Sequence, residues 1–465
     1  MKGGVLARRQ SLARTLLRYV NAARPSGPTS RRFLVALLAI AAVALLIRVV
    51  YNVAVDPQVG RLSDASAYHL LGDNLADGRG YIRPFDFQLL GVKRATAEYP
   101  PLFPALLAAL STLGIGSVNA QQLVLAFIGT ATVGLTGLVG RRVAGDVVGL
   151  VAAGIAAIHP MLFQADGVLM TESLATALVV GCVYLAVVAR QQPSTRAFLL
   201  LGLALGAATL SRAEGLVFAL VLVPPLAFTC RTWSIGRRAA LAAIALGAMA
   251  IVVAPWAIYN QRRFHTFIPV SNNLGTVLDG ANCDLTYSGT YIGSWRSEFG
   301  ENRASDFGCF EGFAIDHPEF DEAVAASNAR RDGLDYVRAH KRRLPAVALA
   351  RLGRTWGVFN PDQQVNLGVL EGRSHRWETV GTWLHWLLFP LAAAGAVLLW
   401  RRRAVLWPLL APIVTVSLVS IVTYGNQRFR ISADPMLAVL AAASIVTAAR
   451  MISATSAGAR NLTAP

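Results

Sequence analysis

Long apolar runs, each ended by arginines or turn residues, set the first reading of this chain. A stretch of about 17–25 mostly apolar residues can cross a bilayer as a helix. Ten segments approach or meet that length: 33–55, 121–140, 146–164, 173–189, 197–211, 215–230, 238–258, 380–400, 404–424 and 431–449. They are rich in Ala, Leu, Val, Gly and Ile, and 197–211 and 215–230 are the shorter ones. The pattern predicts an all-α integral membrane protein of about ten transmembrane helices. Residues 1–32 form a basic arm, and the apolar run after them is too long for a signal-peptide core, so the first span is read as uncleaved. The organisation that follows is a membrane module over 33–258 that includes an outer loop at 56–120. A large loop at 259–379, a final set of spans at 380–450 and a tail at 451–465 complete it.

Composition agrees. Hydrophobic residues make up 54% of the 465 and charged residues only 15%, against about 25% charged in a soluble protein. Mean hydropathy is +0.49. The net charge of +17 invites a nucleic-acid reading, but its distribution excludes one. The arm and the alternate connections (Arg141/Arg142, Arg190/Arg196, Arg231/Arg237/Arg238, Arg401/Arg402/Arg403, Arg450/Arg460) hold twenty basic residues and one acidic residue, Asp146. Residues 56–99 carry five basic and six acidic groups, and 260–379 carry fourteen and fifteen. Basic loops stay in the cytoplasm. Both termini are therefore expected there, with both long loops outside, in a cell (inner or plasma) membrane.

Two apolar stretches are read as lying along the membrane rather than through it. Counting 100–116 as a span would scatter the basic clusters over both sides, so it is read as a juxtamembrane or re-entrant helix. Residues 344–360, with Arg351, Arg354 and Trp356, read as an amphipathic interfacial helix. Cys182 and Cys230 fall in or beside spans, where a thiol is a small apolar filler. Cys283 and Cys309 share the large outer loop, where a disulfide and two free thiols are both open. Trp256, Trp356, Trp383 and Trp386 fall near one interface and Trp233, Trp400 and Trp407 near the other, as anchoring belts do.

Ionisable groups beside spans are costly and invite a functional reading. Arg48, Asp166, Glu172, Arg212, Glu214, Arg428, Arg430 and Asp434 all fall toward the outer helix ends, and the outer loop adds Asp64, Asp73, Asp77 and Glu98. A transporter would place such groups near the midplane, usually between repeated halves, and no internal repeat stands out.

These residues sit in recognisable surroundings. Ser63-Asp64-Ala65-Ser66-Ala67-Tyr68, Ala76-Asp77-Gly78-Arg79-Gly80-Tyr81 and Ala97-Glu98-Tyr99-Pro100-Pro101-Leu102 occupy the first outer loop. Further on come Met170-Thr171-Glu172-Ser173, Leu210-Ser211-Arg212-Ala213-Glu214-Gly215, Pro255-Trp256-Ala257-Ile258-Tyr259-Asn260 and Tyr424-Gly425-Asn426-Gln427-Arg428-Phe429-Arg430. Their order over residues 33–440 resembles the GT-C glycosyltransferases that use polyprenyl-phosphate-linked sugars, among them the protein O-mannosyltransferases and the lipid A aminoarabinose transferase. The resemblance implies a GT-C-type bundle with interfacial helices. It also implies transfer of a sugar from a polyprenyl-phosphate donor to an extracytoplasmic lipid, glycan or protein acceptor.

The chemistry of such a step assigns candidates. A carboxylate must draw the proton from the acceptor hydroxyl, and Asp64, Glu98 and Glu172 are the candidates. Asp64 also suits a helix cap, and Glu172 also suits a helix dipole. The leaving lipid phosphate calls for arginine. Arg428 and Arg430 are first choices, Arg212 and Arg48 second, and Arg212 also fits a pair with Glu214. Glu98 with His265 is the candidate metal pair for Mg²⁺ or Mn²⁺, with action of the carboxylates alone equally open. Neither Asp64 nor Arg428 is expected to matter for folding if both line a wet cavity. The rival readings are a transporter or flippase for a lipid-linked sugar, and a non-catalytic relative.

Overall fold

The computed structural model describes residues 30–55, 63–229, 233–296, 309 and 320–462. Most of the basic arm, Cys230 and the last three residues lie outside them. The described residues form helices joined by short turns, with no β-sheet among them.

The chain order is α1 (Arg31–Ala54), α2 (Asp64–Ala76), α3 (Pro84–Leu90), α4 (Leu102–Thr112), α5 (Val118–Ala144), α6 (Asp146–Ile158) and α7 (Pro160–Ala165). Then come α8 (Glu172–Gln191), α9 (Thr195–Ser211), α10 (Gly215–Phe228) and α11 (Ile235–Phe264). The large loop folds as α12 (Leu274–Ala281), α13 (Asp284–Tyr287), α14 (Glu322–Ala339), α15 (Leu344–Thr355) and α16 (Pro361–Leu370). The chain ends with α17 (His375–Arg401), α18 (Trp407–Val422), a 3₁₀ turn at Gln427–Ser432 and α19 (Asp434–Leu462). Among the described residues six helices are long and apolar enough to cross a membrane: α1, α5, α8, α11, α17 and α19 up to Ala454. The apolar helices α6, α9, α10 and α18 are shorter. The protein is a multi-pass membrane protein.

Packing follows residue size. α19 is apolar all round and sits at the centre, with Met436 to Ala443 buried throughout, as a helix lacking a polar face must be. It packs on α17 and α6. The α17 contact is close because Gly395 has no Cβ, which would fall on the Leu440 carbonyl. Gly202 lets α9 approach Ala245 of α11 in the same way, the small-residue packing that spans use where water supplies no driving force. α1 lies at the periphery and buries little of its surface.

Three elements differ from the sequence-based expectation. The span expected at 146–164 is interrupted at His159, because Pro160 forces the residue before it out of helical geometry (φ −70°, ψ 115°). The last span does not begin at 431, since a 3₁₀ turn precedes it, and its helix continues to Leu462 through most of the expected tail. Residues 100–116, by contrast, are not expected to span, and they contain an 11-residue helix, α4, which is too short to cross a bilayer alone and packs on α2 through Phe103 and Leu107.

The amphipathic reading of 344–360 also changes. Arg351 and Arg354 of α15 are buried, 3% and 1% exposed. Arg351 donates to the carbonyls of Ala281 (2.7 Å) and Ile421 (2.9 Å), and Arg354 to those of Ile292 (2.7 Å) and Thr290 (2.8 Å). The charged face that looked interfacial is covered by the loop, whose backbone acceptors it satisfies. Cys283 and Cys309 are joined by a disulfide.

Candidate functional site

Asp64 opens α2, but it is not the cap. Ser63 occupies that position, its hydroxyl accepting from the Ser66 amide at 3.3 Å. The Asp64 carboxylate is thereby left for other partners, and its side chain is 46% exposed. Tyr99 donates its hydroxyl to Oδ1 at 3.3 Å, and Arg428 Nη1 donates to Oδ2 at 3.3 Å. Tyr99 is held edge-on to Tyr68, ring centroids 4.7 Å apart, beneath the same turn.

Arg428 is the hub. From the 3₁₀ turn it reaches three carboxylates on three separate elements: Asp64, Glu371 at 3.3 Å, and Glu172 through Nε. Asn426 fixes the turn by accepting from the Arg428 amide at 2.9 Å. Burial works to lower the Arg428 pKa, but Glu172, Glu371 and Asp64 outweigh it and hold the guanidinium above its ordinary range. Glu172, the first residue of α8, is nearly buried and also accepts from Arg212 at 2.8 Å. Arg212 bonds Thr171 at 3.2 Å and Glu214 at 2.8 Å as well. Glu172 therefore links two arginines besides favouring its own helix dipole.

The structure brings Asp64, Glu172, Arg212 and Arg428 together and sets the other sequence candidates apart. Arg48 is buried in α1 against Asp166 at 2.7 Å, with the Ala44 and Ala157 carbonyls. Arg430, two residues from Arg428, is 0% exposed and faces Asp434 at 3.8 Å inside the bundle. Glu98 lies beside the cluster without lining its cavity. His265 is exposed at the left-handed end of α11. Among the described residues no three His, Cys, Asp or Glu converge as metal ligands. The place between the three carboxylates is filled by the Arg428 guanidinium, so this arrangement does not fit a divalent ion.

The sequence reading missed Glu371 and the Tyr99 contact. It also missed Glu322, which latches the large loop to the first one. This carboxylate accepts from the Ala97 amide (2.7 Å), Asn272 (2.8 Å) and Arg83 (3.1 Å). Glu98 sits beneath this latch, half-buried. Burial first, then the nearby Glu322 charge, push its pKa up to about 8. An acid held neutral in the fold is more stable below its unfolded pKa of about 4.3, and that stability is lost as pH rises through 8. Glu98→Gln is expected to raise the melting temperature at pH 9 relative to the parent and to leave it unchanged near pH 4. A parallel pair of melting curves across that range would contradict the assignment.

A cavity of about 600 Å³ opens beside the cluster. Asp64, Tyr99, Arg212 and Arg428 line its polar part. Leu216 and Val217 of α10 and Leu418, Val419 and Val422 of α18 line an apolar wall, and residues 266–273 with α12 and α14 supply most of the remainder.

Parts of the sequence and the fold are similar to known membrane glycosyltransferases. Residues 98–259, which carry Glu98, Glu172 and Arg212, match the family model described as dolichyl-phosphate-mannose-protein mannosyltransferase. The fold is similar to the archaeal oligosaccharyltransferase AglB from Archaeoglobus fulgidus, solved with an inhibitory peptide and a dolichol-phosphate (14% identity, TM-score 0.53, 92% of this chain and 52% of that one). The apo form of the Archaeoglobus fulgidus oligosaccharyltransferase gives 15% identity and TM-score 0.53 over the same shares. ArnT from Cupriavidus metallidurans, bound to undecaprenyl phosphate, gives 16% identity and TM-score 0.43 over 90% of this chain and 78% of that one. The chain thus spans about half the length of the archaeal enzyme. No curated protein matches it in sequence.

Proposed function

We propose that the protein is an integral-membrane glycosyltransferase that passes a sugar from a polyprenyl-phosphate donor to an extracytoplasmic acceptor. One observation carries the reading: Asp64, a partly exposed carboxylate oriented by Tyr99 and Arg428, lines a cavity that runs from a charged cluster to the apolar faces of α10 and α18. A lipid chain, a phosphate and a sugar need such a graded environment. The dolichol-phosphate bound by the archaeal oligosaccharyltransferase of like fold supports the donor class. Asp64 accepts the proton as the acceptor oxygen bonds to the anomeric carbon. The bond from that carbon to the phosphate oxygen breaks, and polyprenyl phosphate leaves with the electron pair.

The charge distribution supports an outer-face site, since the large loop over the cavity carries no basic excess. Reporter fusions after Arg141 and Arg403 are expected to report cytoplasmic, and one near Gly300 external. A cytoplasmic signal at Gly300 overturns the sidedness and the donor's leaflet with it. Purified protein given a polyprenyl-phosphate sugar and extracted envelope acceptors is expected to release polyprenyl phosphate without an ion gradient. Movement of intact sugar-lipid across a proteoliposome membrane, with no bond cleaved, supports the flippase instead.

A further inference from the structure

Three cations line the cavity among the described residues, and two are already neutralised. Arg212 and Arg428 are engaged by Glu172, Glu214, Glu371 and Asp64. Four carboxylates against two guanidiniums leave this corner no positive excess, even though Arg373 joins Glu371 from behind at 3.6 Å. A phosphate brought here meets repulsion as much as attraction. The third cation is Arg330, exposed on α14, with no hydrogen bond or ion pair among the described residues.

We propose that Arg330 receives the phosphate of the lipid-linked donor, an inference that rests on the transferase reading above. Its surroundings on the wall suit an anion. Ser327 lies one turn away on the same helix and also lines the cavity, while Ala323 and Ala326 keep the wall open. The first turn of α12, Leu274 and Gly275, borders the same space, and Asn273 ahead of it makes no side-chain cap to its amides. A helix start left uncapped favours negative charge. Gly275 permits this, because a Cβ there would fall on the Ala326 carbonyl and separate α12 from α14.

The division of labour is then clear. The acid-rich corner holds the proton acceptor, and the opposite charge waits on the loop wall, so that base and leaving group are served by different elements. As the bond from the anomeric carbon to phosphate oxygen breaks, the phosphate gains charge, and a guanidinium offers it paired donors. A cavity of about 600 Å³ is within the range that holds a small ligand.

The test uses the full-length protein in phosphatidylcholine nanodiscs with polyprenyl monophosphate as the probe. Arg330→Gln is expected to bind the probe at least about tenfold more weakly, Arg330→Lys to fall between, and Asp64→Asn to bind as the parent does. Arg330 is exposed, so the variant's melting curve is expected to match the parent's. In turnover assays the donor KM is expected to rise by a similar factor. Wild-type probe affinity and donor KM in Arg330→Gln overturn the inference while leaving the transferase reading intact. A loss of affinity that appears only when phosphatidylglycerol is added to the discs means that Arg330 serves the bilayer surface, which also overturns it. A parent protein that neither binds the probe nor turns over donor overturns both readings.

Discussion

Asp64→Asn is expected to lower turnover by on the order of 10² or more while leaving donor binding and the melting temperature near those of the parent. The amide keeps the shape of the carboxylate; its one oxygen can still accept from Arg428, while its NH2 can donate to the Tyr99 hydroxyl in place of the bond Tyr99 gives the carboxylate. What it loses is the charge that draws a proton from the acceptor hydroxyl. Folding is insulated from the change because Ser63, not Asp64, caps α2. It is also insulated because the Asp64 side chain is 46% exposed. Turnover with saturating donor is the decisive measurement. Full activity in a folded Asp64→Asn protein removes Asp64 from the reaction. Neither other sequence candidate is placed to replace it, since Glu172 is clamped between Arg212 and Arg428 and Glu98 does not line the cavity.

How much of this was legible in the sequence depended on contrast. Glu172, Arg212 and Arg428 stand out because each borders an apolar run, where a charge needs a reason, and Asp64 because it lies in one of the short segments that carry the family resemblance. Glu371 does not stand out. It lies in a loop where acids and bases are nearly equal in number, and it reaches Arg428 only because α16 ends there, before Gly372 turns the chain with φ of 92°. Arg430 looked equivalent to Arg428. A 3₁₀ turn advances about 120° per residue, so positions two apart face different ways, and one arginine enters the cluster while the other enters the bundle. Sequence pattern does not distinguish that turn from the start of the last span. Arg351 and Arg354 misled for a related reason. Their amphipathic spacing was legible, but the loop that covers their charged side comes from residues 281–292, which local pattern does not place. The fold class was legible because bilayer length dictates it, whereas the site's inner connections join residues hundreds of positions apart.

Arg428→Ala is expected to cost stability as well as activity, contrary to what a wet, solvent-lined position would imply. The Arg428 side chain is 10% exposed, and its partners Glu172 and Glu371 are 3% and 17% exposed. Removing the guanidinium leaves these acids close together with only Arg212 and Arg373 to offset them, and breaking a buried pair in this way costs about 3–5 kcal/mol. The three elements that Arg428 joins, the start of α2, the start of α8 and the end of α16, lose their common anchor. Activity falls with them, because Asp64 loses one of the two groups that aim it. Arg428→Lys keeps the charge but not the planar fork that spans three carboxylates, so it is expected to recover stability only in part. The double variant Arg428→Ala/Glu371→Gln separates charge repulsion from simple loss of packing. If unpaired acids are the cause, removing one of them restores part of the lost melting temperature, a coupling that two independent sites would not show. A melting temperature for Arg428→Ala equal to the parent's means that water screens the cluster fully, and the anchoring role is then wrong.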